Sequence, residues 1–80
     1  MIPHSLAQVQ LRRLVAEMAE DERAVLRDVV AQVAAEADLP VTTVEHLRNG
    51  YLRQPKLWQA AAIEDVTGIE MRMWLTLDPL

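Results

Sequence analysis

Eighty residues with a formal charge of −4 leave room for one small core and exclude a second. About half the residues are apolar and a quarter are charged, which excludes a disordered tail, and the lack of cysteine excludes a disulfide framework and a thiolate metal site. No apolar run approaches the roughly 20 residues that cross a bilayer. Met1-Ile2-Pro3-His4 lacks the basic patch and apolar run of a signal peptide, so no membrane is expected and the cytoplasm is the expected compartment.

A first helix is expected from Ser5, where Ser5 and Gln8 match a capping box and Pro3 stands upstream of the first turn. Leu11, Leu14, Val15 and Met18 follow an amphipathic spacing that carries it to about Ala19. Glu20-Asp21-Glu22 favours a new helix start, with Asp21 as its N-cap. Neither Gly nor Pro stands there, so a continuous helix over 5–37 is the alternative. Leu26, Val29, Val30, Val33, Ala34 and Ala37 give the cleanest periodicity and define a second, core-facing helix. Pro40 ends it, because the residue before a proline avoids the helical region. A third helix is expected over Val41–Asn49, with Thr42 and Glu45 as a candidate cap, closed by Gly50. Tyr51–Pro55 reads as a loop. A fourth helix over Lys56–Thr67 turns Leu57, Ala60 and Ile63 inward and stops at Gly68. A short helix or turn follows over Glu70–Leu75, then a tail, Leu77–Leu80. Repeats, low-complexity tracts and sustained heptads are absent. The expected fold is all-α, a compact bundle of four to five short helices in one domain over 1–80. Its core is expected to hold Val30, Val33, Ala34, Val44, Leu47 and Ile63.

Charge is unevenly spread. Residues 1–40 carry Arg12, Arg13, Arg23 and Arg27 against Glu17, Glu20, Asp21, Glu22, Asp28, Glu36 and Asp38. The arginines are expected to pair with Glu17, Glu20 or Glu22 at helical spacing. Residues 41–56 carry Arg48, Arg53 and Lys56 against Glu45 alone, so the positive stretch falls on the third helix and the loop after it.

Ala34, Leu39, Val44 and Gly50, followed by Arg53-Gln54-Pro55 and by Ala62-Ile63-Glu64-Asp65-Val66-Thr67-Gly68-Ile69 with Trp74-Leu75 beyond, resemble the helix-turn-helix of the Cro/CI-like (XRE-type) repressor family. The resemblance covers about residues 28–76 and leaves 1–27 as an N-terminal helical extension. Three positions depart from the family pattern. Asp38 stands where the turn glycine is usual, Pro40 where a capping serine is usual, and Val30 or a neighbour where a polar residue meets phosphate. The resemblance implies a small transcriptional regulator of the kind found in phages, prophages and toxin–antitoxin modules. It implies double-stranded DNA as partner, no cofactor, no catalysis, and a homodimer that reads two half-sites.

On that frame the base-facing candidates are Val41, Thr42, Thr43, Glu45 and His46. Threonine donates or accepts, and its methyl meets the thymine methyl; Val41 meets the same methyl or packs; Glu45 accepts from cytosine or serves as a cap. Arg48, Arg53 and Lys56 are the phosphate candidates, helped by the fourth helix's N-terminus. Met71, Met73, Trp74 and Leu77 are candidate dimerisation residues, with the first helix as the alternative surface. Trp58 and Trp74 read as core or interface, and Met18, Met71 and Met73 as core or dimer surface. Tyr51 lies on a phosphate or packs against the fourth helix, the latter being preferred.

Catalytic chemistry finds few groups. Ser5 reads as a cap, His4 and His46 lack metal-ligand spacing, and Glu64 and Asp65 diverge as helix neighbours. Gly50 and Gly68 alone make no phosphate loop. A second functional class remains, a protein-binding module on the same scaffold whose acidic helical surface, residues 17–28, meets a basic partner protein.

Overall fold

In the computed structural model, which describes residues 4–78, the chain forms α1 (Leu6–Glu22), α2 (Leu26–Ala37), α3 (Val41–Asn49), α4 (Leu57–Thr67) and a 3-10 turn over Met71–Trp74. The expected all-α fold is found, and the described residues contain no strand beyond an isolated antiparallel bridge between Ser5 and Leu77. Met1, Ile2, Pro3, Pro79 and Leu80 lie outside the described residues. Among the described residues no helix is long and apolar enough to cross a membrane.

The core forms where the apolar stripes meet. Ala7, Leu11 and Val15 come from α1, Val29, Val30, Val33 and Ala34 from α2, Val44 and Leu47 from α3, and Ala60 and Ile63 from α4, all buried. Ile69 and Trp74 close it from the chain end. Helix α2 packs on α1, α3 and α4, while the 3-10 turn packs on α1 and α4. The six residues expected at the core are all within it.

Several boundaries differ from expectation. Asp21 is not an N-cap: α1 runs through the acidic residues to Glu22. Acidic side chains are compatible with a helix interior, and nothing at 20–22 removes a backbone donor. The helix ends where Arg23 turns left-handed at φ 53°, and Ala24 N–H reaches the Ala19 carbonyl at 2.9 Å. That bond closes a Schellman turn, with Ala24 packed against the core. Helix α2 therefore starts at Leu26, whose N-cap Val25 offers no side-chain acceptor. At the helix tip, Leu26 is 43% exposed rather than inward, and Leu57, the first residue of α4, is 76% exposed for the same reason. The Ser5 cap is half realised. Its Oγ accepts from Gln8 N–H at 3.0 Å, but the Gln8 side chain turns away from Ser5 to α3. The expected pairs of Arg12, Arg13, Arg23 and Arg27 with the α1 acids do not form among the described residues.

Candidate nucleic-acid interface

Asp38, Leu39 and Pro40 join α2 to α3, and each has a separate task. Asp38 takes the left-handed conformation at φ 56° and ψ 45°, which Asp tolerates better than most residues other than glycine. Leu39 N–H then bonds the Ala34 carbonyl at 2.9 Å, and the Leu39 side chain is buried. Pro40 caps α3 through its backbone, with no side-chain bond, as its fixed φ of −60° suits the entry to a helix. The proposed cap by Thr42 and Glu45 is not formed, because both lie inside α3.

Val44 and Leu47 are fully buried, and they fix the rotation of α3 about its axis. The opposite face carries Thr42, Glu45, His46 and Asn49. Val41 stands exposed at the N-terminal tip, and Thr43 is half-buried at the margin. The five base-facing candidates thus divide: Val41, Thr42 and His46 are exposed, while Thr43 and Glu45 are partly covered.

Glu45 and Arg48 are occupied with one another. Arg48 Nη2 and Asn49 Nδ2 both donate to Glu45 Oε1, the latter at 2.9 Å. The Arg48 bond first, then the Asn49 bond and the nearby positive charge, hold the Glu45 carboxyl below its ordinary range against the opposing effect of burial. Arg48 is therefore folded along the helix, with only 17% of its side chain exposed and a buried Nε that has no partner among the described residues. This is not the free, outward cation expected of a phosphate ligand. It cancels the one acidic charge on α3, which spacing alone did not reveal although the i, i+3 separation is compatible with it.

Arg53 and Lys56 remain exposed, and neither has an ion-pair partner among the described residues. Lys56 is also the N-cap of α4, where its backbone N–H bonds Gln59 Oε1 at 2.8 Å. Tyr51 does not pack on α4. It is 81% exposed and meets the His46 ring edge-on at 5.9 Å and 82°. Leu52 N–H bonds the His46 carbonyl at 3.1 Å, so the loop folds back along the end of α3.

The C-terminal end of α3 is held from α1. Gln8, itself buried, donates from Nε2 to the Arg48 carbonyl at 3.2 Å. Gly50 passes directly over this amide at φ 85°, and a Cβ there would lie 2.8 Å from Gln8 Nε2. No local signal announces a contact across forty residues.

The dimerisation candidates are not one surface. Trp74 is 3% exposed and belongs to the core, and Met73 is half-buried against it. The bulk of Trp74 fills the space between α1 and α4 that a chain without phenylalanine has to fill otherwise. Met71 and Leu77 are exposed, together with Leu75. Trp58 is more than half exposed, on the outside of α4. Among the described residues no three His, Cys, Asp or Glu side chains gather as a metal site. A scan against protein-family models and searches of curated proteins and of solved structures return no match.

Proposed function

We propose that this chain is a small sequence-specific DNA-binding regulator of the helix-turn-helix type, with α3 entering the major groove. The observation that carries the reading is the left-handed turn at Asp38 with Leu39 anchored beneath it, which sets α3 on α2 with Thr42 and His46 outward. Glu45 supports the reading once its charge is met by Arg48, because the face then presents no free carboxylate to phosphate. Thr42, His46 and the exposed Val41 are the base-reading residues, with Thr43 at the margin. Arg53 and Lys56 hold the backbone beside the first turn of α4. A homodimer follows from the need for two half-sites, built on the exposed Met71, Leu75 and Leu77.

The test is titration against a selected duplex pool at two salt concentrations. Arg53→Ala is expected to weaken binding to all sequences alike and to reduce the salt slope by about one unit. Thr42→Ala or His46→Ala is expected to change which sequence is preferred. Absence of duplex binding by the unmodified chain at low salt refutes the proposal.

One observation favours a second reading. Glu17, Glu20, Asp21 and Glu22 are all exposed on the last turns of α1, and no cation pairs with them among the described residues. Such a face suits a basic partner protein. Retention of a partner on the unmodified chain, lost on Glu17→Lys with Glu20→Lys, together with no duplex binding, selects it.

A further inference from the structure

Asn49 is the only asparagine of the chain, and a glycine follows it. It is the last residue of α3 and exposed, and Gly50 beyond it has already left the helix at φ 85°. In a continuing helix the Gly50 N–H would bond the His46 carbonyl four residues back. Leu52 N–H takes that carbonyl instead, at 3.1 Å, and the Gly50 N–H has no hydrogen bond among the described residues. An exposed side-chain amide therefore stands beside a backbone nitrogen that has no bond to give up and no side chain of its own residue to crowd it.

We propose that Asn49 is a site of spontaneous deamidation in the folded protein, and that the reaction unseats the end of α3. The Gly50 nitrogen gives its proton to hydroxide and attacks Asn49 Cγ. The new Cγ–N bond closes a five-membered succinimide ring, the Cγ–Nδ2 bond breaks, and Nδ2 leaves as ammonia with a proton from water. Both reacting atoms belong to neighbouring residues, so the step needs no encounter. Water then opens the ring at either carbonyl. One opening restores the ordinary backbone with an aspartyl side chain. The other routes the chain through Cβ and Cγ and leaves the main-chain carboxylate free. No oxidant or reductant takes part, and either product carries one new negative charge.

That charge lands on a hydrogen bond. Asn49 Nδ2 donates to Glu45 Oε1 at 2.9 Å. After the reaction two carboxylates without a donor between them meet there, with Arg48 to share and the negative end of the α3 dipole beside them. The last turn of α3 loosens, and the longer backbone of the isoaspartyl form pulls on the bond from Leu52 to His46. A further effect rests on α3 facing DNA: the same charge repels phosphate, so duplex binding decays as the chain ages.

The test incubates the full chain for days at mildly alkaline pH and physiological temperature, beside an unstructured peptide of residues 46–53 that sets the time scale. Peptide mass reads the carboxylate at 49, and enzymatic methylation reads isoaspartate. Both are expected to rise in the chain and to be absent in Asn49→Gln, whose longer side chain has to close a larger ring. In urea below the unfolding transition the rate is expected to stay level. The aged chain and Asn49→Asp are each expected to have a lower urea midpoint than the fresh chain and to bind duplex about tenfold more weakly. An amide still intact in the chain when the peptide has reacted overturns the proposal. So does a rate that climbs with the unfolded fraction, because the fold then shields Asn49, or an aged chain as stable as the fresh one. A fresh chain that binds no duplex refutes the DNA reading alone, since mass and urea midpoint still read the reaction at 49.

Discussion

Replacing Gly50 with alanine tests how α3 is held, because two separable effects meet there. The backbone at φ 85° is one that a side chain disfavours by about 1–2 kcal/mol, offset by about 0.4–1 kcal/mol through the less flexible unfolded chain. The new Cβ also stands 2.8 Å from Gln8 Nε2, a contact that real atoms do not keep. The amide is the flexible end of its side chain, so it swings aside. The loss is its bond to the Arg48 carbonyl, worth about 1 kcal/mol. Gly50→Ala should therefore cost about 2 kcal/mol in all, a fall in melting temperature of about 8–16 °C for a domain this size. In a Gln8→Ala background the second effect is already gone, and the same substitution should cost only about 1 kcal/mol. Urea denaturation of the four chains of this double-mutant cycle reads the coupling directly. An equal cost in both backgrounds refutes the contact between Gln8 and the end of α3.

Val44→Asp should abolish cooperative unfolding, since an unpaired charge in a fully buried site costs several kcal/mol, whereas Val44→Ala should retain a cooperative but lower melt. Asp38→Gly should leave stability unchanged or raise it by up to about 1 kcal/mol in urea, because glycine relieves the left-handed strain while adding freedom to the unfolded chain; a clear loss would show that the aspartate side chain holds the turn. The Glu45 carboxyl, held below its ordinary value by Arg48, contributes stability that is present above the unfolded-state value of about pH 4 and lost as pH falls through the folded one; Glu45→Gln should flatten that part of the acid stability profile, and an unchanged profile would refute the pairing. Sedimentation at micromolar concentration should show a dimer that Leu75→Glu, at a 73% exposed position, converts to monomer; a monomer at every concentration removes the proposed interface.

The parts of this fold that could be read from residues alone are those with a local cause. The stripe from Val29 to Ala37 reports burial because periodicity is a property of one helix, and Pro40 and Gly50 mark boundaries through their own backbones. The acidic residues at 20–22 misplaced a boundary because charge near a helix start is a weak preference, while the Ala19–Ala24 contact that sets the true end depends on the packed core. Leu26 and Leu57 obey the helical period and still face water, because a stripe does not say how far the neighbouring helix extends. Arg48 had the charge of a phosphate ligand, yet Glu45 one turn away claimed it. For Trp74 the sequence leaves core and interface open, because a four-residue turn has no period to choose between them. The Gln8 contact to α3 spans the domain, and no short-range pattern encodes it.

Near its two ends the chain is zipped together. Leu6 N–H bonds the Thr76 carbonyl at 2.7 Å and Asp78 N–H bonds the His4 carbonyl at 2.8 Å, flanking the bridge between Ser5 and Leu77. A polypeptide entering at His4 and leaving at Asp78 therefore does so at nearly one point. The domain can be spliced into an exposed loop of a host protein without prying the host apart, or its ends joined by a few residues and new ones opened at 51–54. In such a permuted chain α1 would follow α4 in order, and the clamp of Gln8 on α3 would still span forty residues, now holding the segment next to the new C-terminus.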